Sequence, residues 1–400
     1  ANGEGSVGIA FDASLTGVNI FTGPANINEQ NPDGYTAVAD EQYRFDVLNH
    51  SWGSLPVYLN DTTEAIVATL DGWQRATTEG RDGYGSIIVK AAGNNADSAH
   101  GDALNNSRFA IIVGAHDWEG DASWYTNRGP SLLVSAPTSG NTWDGDLRII
   151  TTDRQGGEGY APGDYSATDQ TGFGGTSSAA PAVSGVIALM LEANSELGWR
   201  DVQTILSYSA HGLGTYDGPL ENPSETIPVD EDGDGAVDYY ETLPVEYDQW
   251  IYNGADNWNG GGLHYSGDYG YGGVDVYNAV RMAEIWSLFG PAQTSTNEVV
   301  VEDIARVIVP DDPNDPYASL SYNAHNANGE PDTVSATWNY SGDPMTLEYV
   351  SFSLEIELVY MEGLTMTLSS PEGTTVTLME PLLNDHSPFF TFFGIPWVTN

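Results

Sequence analysis

Gly175-Thr176-Ser177-Ser178-Ala179-Ala180-Pro181 runs without interruption into the apolar stretch Ala182 to Leu191. The order of residue types is that of a tight turn feeding a buried helix. Glycine admits backbone conformations closed to other residues, small alanines allow close approach, and proline is tolerated in a helix's first turn. A serine at such a helix N-terminus is placed for nucleophilic chemistry, because the positive end of the helix favours developing negative charge. A plain loop entering a core helix has the same composition, so this segment alone does not decide function.

Working outward, Phe45 to Leu48, Ile87 to Val89 and Phe109 to Val113 read as strands, with shorter strands at Val7 to Ile9 and Thr16 to Ile20. Thr63 to Thr78 carries Ala65, Ile66, Ala68, Thr69, Leu70 and Trp73 at helical spacing, with Asp61 or Thr62 as cap. Continuous apolar strands alternating with helices predict an α/β domain with a buried parallel sheet. Its ligands belong beyond the carboxyl ends of the strands, where Ser51-Trp52-Gly53 and Gly93-Asn94 fall. A polar insertion spans 212–248, and a composition change over 290–299 marks a linker. Beyond it the period becomes two: Val350, Phe352, Leu354, Ile356, Leu358 and Tyr360 alternate with serines, glutamates and, last, Val359, and Leu364, Met366 and Leu368 with threonines. The turn Ser370-Pro371-Glu372-Gly373-Thr374 then predicts a hairpin into Val376 and Leu378.

The 400 residues carry 57 acids against 11 Lys plus Arg, a formal net charge of −46, and 40% hydrophobic residues. That length and apolar content suit two packed domains. The charge disfavours nucleic acid and anionic membrane surfaces and favours cations and basic peptides, although most of the carboxylates need do no more than solvate the surface. No cysteine is present, so stabilisation beyond packing falls to bound metal. No apolar run is read as a membrane span.

Read through Ala182-Val183-Ser184-Gly185-Val186 and Leu191-Glu192-Ala193-Asn194 to Trp199-Arg200-Asp201-Val202-Gln203, the opening segment resembles the kexin and furin branch of the subtilisin-like serine proteases. Three more blocks match in order: Asn49-His50-Ser51-Trp52-Gly53, Ala91-Ala92-Gly93-Asn94, and Leu263-His264-Tyr265-Ser266 through Tyr269-Gly270-Tyr271-Gly272 to Asp275. The resemblance implies that Ser177 is the nucleophile and Asn94 the side-chain oxyanion donor. It also implies that Ser51, Trp52 and Gly53 pair with an extended substrate. It places the catalytic Asp and His upstream of this chain, since no His-Gly-Thr occurs among the seven histidines. Asp102 matches an acid at the base of the specificity pocket, and Asp97 a calcium-binding acid beside it. Asn127 stands where a third acid is expected, and Ser54-Leu55-Pro56 lacks the family's acids. Only a weak preference for basic residues follows, and both aspartates also read as ordinary loop acids in an acidic chain.

Asp230-x-Asp232-x-Asp234-Gly235-x-x-Asp238-x-x-Glu241 matches a twelve-residue EF-hand loop. Oxygens of Asp230, Asp232, Asp234, Asp238 and Glu241 and the carbonyl of Ala236 would hold Ca2+, with Pro228 and Pro244 arguing against flanking helices. By resemblance, Asn2 with the carbonyls of Glu4 and Ser6 belongs to a second calcium loop.

The expectation is therefore a subtilisin-like domain over 1–289 lacking its N-terminal part, with the 212–248 calcium insertion. The linker 290–299 follows, then an incomplete jelly-roll β-sandwich resembling the P-domain over 300–400. The expected function is a secreted or extracellular, calcium-dependent serine endopeptidase acting on protein or peptide substrates. A propeptide, a chaperone or the missing N-terminal segment is the expected partner. The alternative is a non-catalytic calcium-binding scaffold or adhesion module on a decayed protease fold.

Overall fold

A computed structural model describes residues 7–18, 39–53, 64–140, 147–166, 172–214, 224–229, 239–244, 250–252, 263–300, 349–356, 366–369, 375–379 and 389–396. Four strands, β1 (Val47–His50), β2 (Ile87–Ala91), β3 (Ala110–His116) and β4 (Leu132–Pro137), form one parallel sheet in that order. β2 and β3 are buried at every position, which their near-continuous apolar sequences require.

Alternation along β2 and β3 divides the core between the two faces of the sheet. Ile87, Val89, Ala91, Ile111 and Val113 pack against α2 (Thr176–Ala193), α3 (Trp199–Ser209) and α4 (Val276–Ile285). Ile88, Ala92, Ile112 and Leu132 pack on the other side with Trp73 of α1 (Glu64–Glu79) and with Leu104 of the 3-10 turn Ala103–Asn106. Lys90, even-numbered like Ile88 and Ala92, belongs to this second face.

The strand and helix expectations for the sheet hold with small shifts of boundary, and β4 was not anticipated. Val7 to Ile9 is not a strand, and residues 19–20 lie outside the described residues. α2 has 18 residues at mean hydropathy 1.3, long and apolar enough to cross a membrane, contrary to the sequence expectation. Here Ala179, Ala180, Val183, Val186, Ile187 and Met190 are buried against the sheet and its neighbours, so its apolar character is that of a core helix. Pro181 also departs from expectation: with Thr176 as the first helical residue, it falls in the second turn rather than the first.

Residues 290–298 lie along α3. Trp199 Nε1 donates to Ser295 Oγ at 3.0 Å, Arg200 to the Thr294 carbonyl at 3.1 Å, and the Gln293 N–H to buried Asp201 at 2.9 Å. A Cβ on Gly198 would meet the Gln293 carbonyl at 1.9 Å, so glycine is required at that crossing. The segment expected as a linker is thus fastened to the α/β domain.

The 212–248 insertion contains the antiparallel hairpin β5 (Ser224–Val229) and β6 (Tyr239–Pro244), and a short pair β7 (Ile251–Tyr252) and β8 (His264–Tyr265) follows. In the C-terminal region β9 (Tyr349–Ile356) pairs with β12 (Phe389–Pro396), and β10 (Met366–Ser369) with β11 (Thr375–Met379), all antiparallel. The described residues form these two separate pairs, and a sandwich is not defined among them. The Tyr349 hydroxyl donates to the Asn106 carbonyl at 2.6 Å, joining β9 to the 3-10 turn.

Candidate active site

The turn into α2 is built around Gly175, whose φ of +83° favours glycine. Its N–H donates to the Tyr125 hydroxyl at 3.0 Å, and its carbonyl accepts from Thr138 Oγ1 at 3.2 Å and Ser178 Oγ at 3.0 Å. Ser178 and Thr138 also bond to each other. These bonds hold the first turn of α2, where Ser177 is half-buried beside fully packed Ala179 and Ala180.

The placement of Pro181 has a consequence at the serine. A residue in mid-helix donates its N–H to the carbonyl four residues back, and Pro181 cannot, which frees the carbonyl of Ser177. Ser51 Oγ donates to that carbonyl at 2.9 Å, and Ser177 Oγ donates to the Ser51 carbonyl at 3.5 Å. The serine at the helix start and the segment after β1 are therefore bonded in both directions. Ser51, Trp52 and Gly53 follow the carboxyl end of β1, as the α/β reading required.

Asn94 follows β2 and lies exposed at the mouth of the site. Its Oδ1 accepts from the Thr176 N–H at 2.8 Å and from Thr176 Oγ1 at 2.9 Å, while Thr176 Oγ1 accepts from the Gly93 N–H at 3.1 Å. With Oδ1 committed to Thr176, the amide orientation is set, and a Cβ on Gly175 would meet Nδ2 at 3.1 Å and Oδ1 at 3.3 Å. An exposed asparagine with its carbonyl anchored keeps its NH2 as a donor, as a group that donates to an oxyanion must. Ser177, Asn94 and Ser51 are thus brought together at the carboxyl end of the sheet by the head of α2 and the segments after β2 and β1.

The five described histidines lie in other contexts. His50 is buried between Trp52 and Trp73, with ring centroids 5.6 and 5.3 Å away, and its pKa is pushed down to about 3, first by burial and then by the charge of Lys90. His100 is buried in a 3-10 turn, and His116 Nδ1 bonds the Asp117 carbonyl. His211 pairs with Gly273 through its backbone, and His264 packs edge-on to Trp250. His325 and His386 lie outside the described residues.

Asp102 is 2% exposed, and its carboxylate is already occupied: Oδ2 accepts from Lys90 Nζ at 2.9 Å and Oδ1 from the Leu104 N–H at 3.0 Å. The acid expected at a pocket base is therefore half of an internal ion pair. A Cβ on Gly53 would meet Asp102 Oδ2 at 2.7 Å and Lys90 Nζ at 3.3 Å, so the pair lies directly against the Ser51-Trp52-Gly53 segment.

Near Asp97, Asn127 Oδ1 accepts from the N–H groups of Asn95 at 2.8 Å and Asp97 at 3.3 Å, and Asp97 Oδ1 accepts from the Ser98 N–H at 2.6 Å. Among the described residues the carboxylates and histidines that converge in threes are Asp117, Glu119 and Asp121, so no carboxylate cluster forms at Asp97. Asn127 closes this loop by bonding its backbone, where a metal-binding acid was expected. Asn2, Glu4, Ser6, Asp230, Asp232, Asp234, Ala236 and Asp238 lie outside the described residues. Glu241 sits in β6 opposite Ile227, so the acidic run joins the two strands of a hairpin.

Thr176, Tyr125 and Lys90 were not singled out as site residues from the sequence. Lys90 carried a signal nonetheless: it is the chain's one lysine, and it stands inside Ile87-Ile88-Val89-Lys90-Ala91, where a buried charge requires a partner.

Residues 1–272 match the sequence model of the Subtilase family. Furin-1 of Xenopus laevis is 27% identical over 394 residues, covering 96% of this chain and 40% of that protein. Protease KEX1 of Kluyveromyces lactis is 28% identical over 384 residues, covering 93% of this chain and 40% of that protein. The chain thus spans about two fifths of the length of these curated relatives. The serine protease of Aeromonas sobria superposes with a TM-score of 0.67 at 19% identity, covering 97% of this chain and 68% of that one. The same protease in complex with its chaperone gives 0.70 at 20% identity. At these identities the structural matches establish a common fold.

Proposed function

The chain belongs to the subtilase family, with furin- and kexin-like relatives across most of its length, and from that premise we propose that it is a calcium-stabilised serine endopeptidase whose nucleophile is Ser177. The observation that carries this reading is the Thr176-Asn94 lock beside Ser177, which fixes an exposed side-chain amide at the N-terminus of α2 with its carbonyl oxygen already engaged. Ser177 Oγ attacks the peptide carbonyl, and its proton passes to a histidine base. Asn94 Nδ2 donates to the oxyanion, the amine leaves with a proton, and water then hydrolyses the acyl-enzyme. The Ser51-Trp52-Gly53 segment aligns the extended substrate.

The segment 230–241, which ends within β6, is assigned to Ca2+, held by Asp230, Asp232, Asp234, Ala236, Asp238 and Glu241. Bound there, the ion would neutralise a crowd of carboxylates and close the loop between β5 and β6. Asn2, Glu4 and Ser6 are assigned to a second loop by resemblance alone. The region from residue 300 onward is assigned to a P-domain, which the antiparallel pairing of β9 to β12 supports without defining a sandwich. Secretion and a propeptide or chaperone partner are part of the same reading, and the chaperone complex of the Aeromonas sobria protease supports the latter.

A fluorophosphonate probe applied to the full-length polypeptide in calcium should label Ser177 and should fail on Ser177→Ala. Chelation should lower the melting temperature, because an ion bound only by the folded state stabilises it. Absence of labelling in folded, calcium-loaded protein would overturn the enzyme assignment in favour of a non-catalytic scaffold.

A further inference from the structure

A chain with a net charge of −46 and a single lysine keeps that lysine fully buried. Lys90 lies at the carboxyl end of β2, opposite His50 of β1, and its ammonium has three acceptors: Asp102 Oδ2 at 2.9 Å, Asn105 Oδ1 at 2.6 Å and the Ala91 carbonyl at 3.4 Å. Three acceptors match the three donors of an ammonium. Asn105 is itself held by its Nδ2, which donates to the carbonyls of Ala92 and Ala99, both at 2.9 Å. Ion pair and clasp lie against the backbone of Gly53.

We propose that Lys90 is a specificity-determining residue: by occupying Asp102 beneath Gly53, its ammonium takes the place a substrate's basic side chain would need, so that neutral residues are preferred before the scissile bond. This rests on the reading that Ser51-Trp52-Gly53 borders the substrate groove. A guanidinium entering beside Gly53 would find a carboxylate with both oxygens engaged and a like charge next to it. It would shed its hydration without gaining an ion pair, which is unfavourable. A neutral side chain loses nothing comparable. Lys90 acts on substrate through Asp102, so it is a positioning residue, not a catalytic one.

The test is a peptide series differing only in the residue before the scissile bond (Arg, Lys, Leu, Met or Phe), cleaved by the full-length protein. Neutral residues should exceed Arg and Lys by at least tenfold in kcat/KM. Lys90→Met, which frees Asp102, should shift the ratio at least tenfold toward Arg, whereas Lys90→Met/Asp102→Asn should restore the neutral preference. A preference for Arg or Lys in the unaltered protein would overturn the proposal, as would an unchanged ratio in folded Lys90→Met. Because that single variant leaves a buried charge unpaired and is prone to misfold, thermal unfolding accompanies each assay. If the single variant does not fold, Lys90→Gln, which removes the charge and keeps a donor toward Asp102, takes its place, and an unchanged ratio there overturns the proposal. Calorimetric binding of blocked tetrapeptide acids ending in Leu or Arg separates the pocket from the chemistry. Tighter binding of Leu supports the assignment even if nothing is cleaved and Ser177 stays unlabelled, and tighter binding of Arg refutes it.

Discussion

At Asn94 the structure engages one end of the side chain, since Oδ1 accepts from Thr176, and the proposed function gives Nδ2 the oxyanion. Asn94→Ala should therefore lower kcat by about 10²- to 10³-fold with little change in KM, the usual loss when one oxyanion donor is removed. An equal loss carried mainly by KM would refute the donor role. His50 supplies a second expectation. Its folded pKa of about 3 lies below the ordinary 6.5, so below pH 6.5 the unfolded chain takes up a proton that the folded protein refuses. Stability from this group is full above pH 6.5 and declines as the pH falls toward 3, by up to about 1.4 kcal/mol per unit. His116 and His264 are lowered in the same direction, mainly by burial. Denaturant unfolding at pH 7 and pH 5 should show this loss, with a shallower slope in His50→Leu. The runs of small residues around Ser177 and Asn94 marked both segments in the sequence, and the structure brings the two together through Thr176. The Ser51 bond to the Ser177 carbonyl was not legible there, because it follows from which turn of the helix Pro181 occupies.

At the scale of elements, α2 joins the candidate site to the core, with Ser177 at its start and Ile187 and Met190 fully buried farther along. Ile187→Ala should cost about 2–5 kcal/mol of stability. The kcat of the protein that remains folded should be unchanged, because the first turn is held separately by Gly175, Tyr125 and Thr138. A fall in kcat at full folding would show the two ends to be coupled. β2 and β3 were legible from their unbroken apolar runs, whereas β4 offers only Leu132-Leu133-Val134 between two prolines and was missed. β12, too, carries Gly394 and Pro396 in its last three positions and gave no clear strand signal. Residues 290–298 read as a linker from Gly, Pro, Ser and Thr content, yet hydrogen bonds to α3 hold them in place. Composition reports how readily a segment turns, not whether a neighbour binds it.

At the scale of the whole molecule, 57 acids against 11 basic side chains make self-repulsion the dominant long-range term. Raising NaCl from 0.1 to 1 M shortens the screening length from about 10 to about 3 Å, so the melting temperature should rise with salt. A flat or falling curve would show that the acids are already neutralised by bound cations or local pairing. The amino-acid sequence by itself determined the α/β class, the parallel sheet, the subtilase assignment and the serine at the head of α2. These follow from hydrophobic period and from short motifs contiguous in the chain. Only the tertiary structure decided that Asn94 is oriented by Thr176, that Asn127 binds loop backbone, and that Asp102 is paired with Lys90 beneath Gly53. Those outcomes depend on which side chains meet across loops, and a buried charge or carbonyl takes whatever partner the packed fold brings within reach.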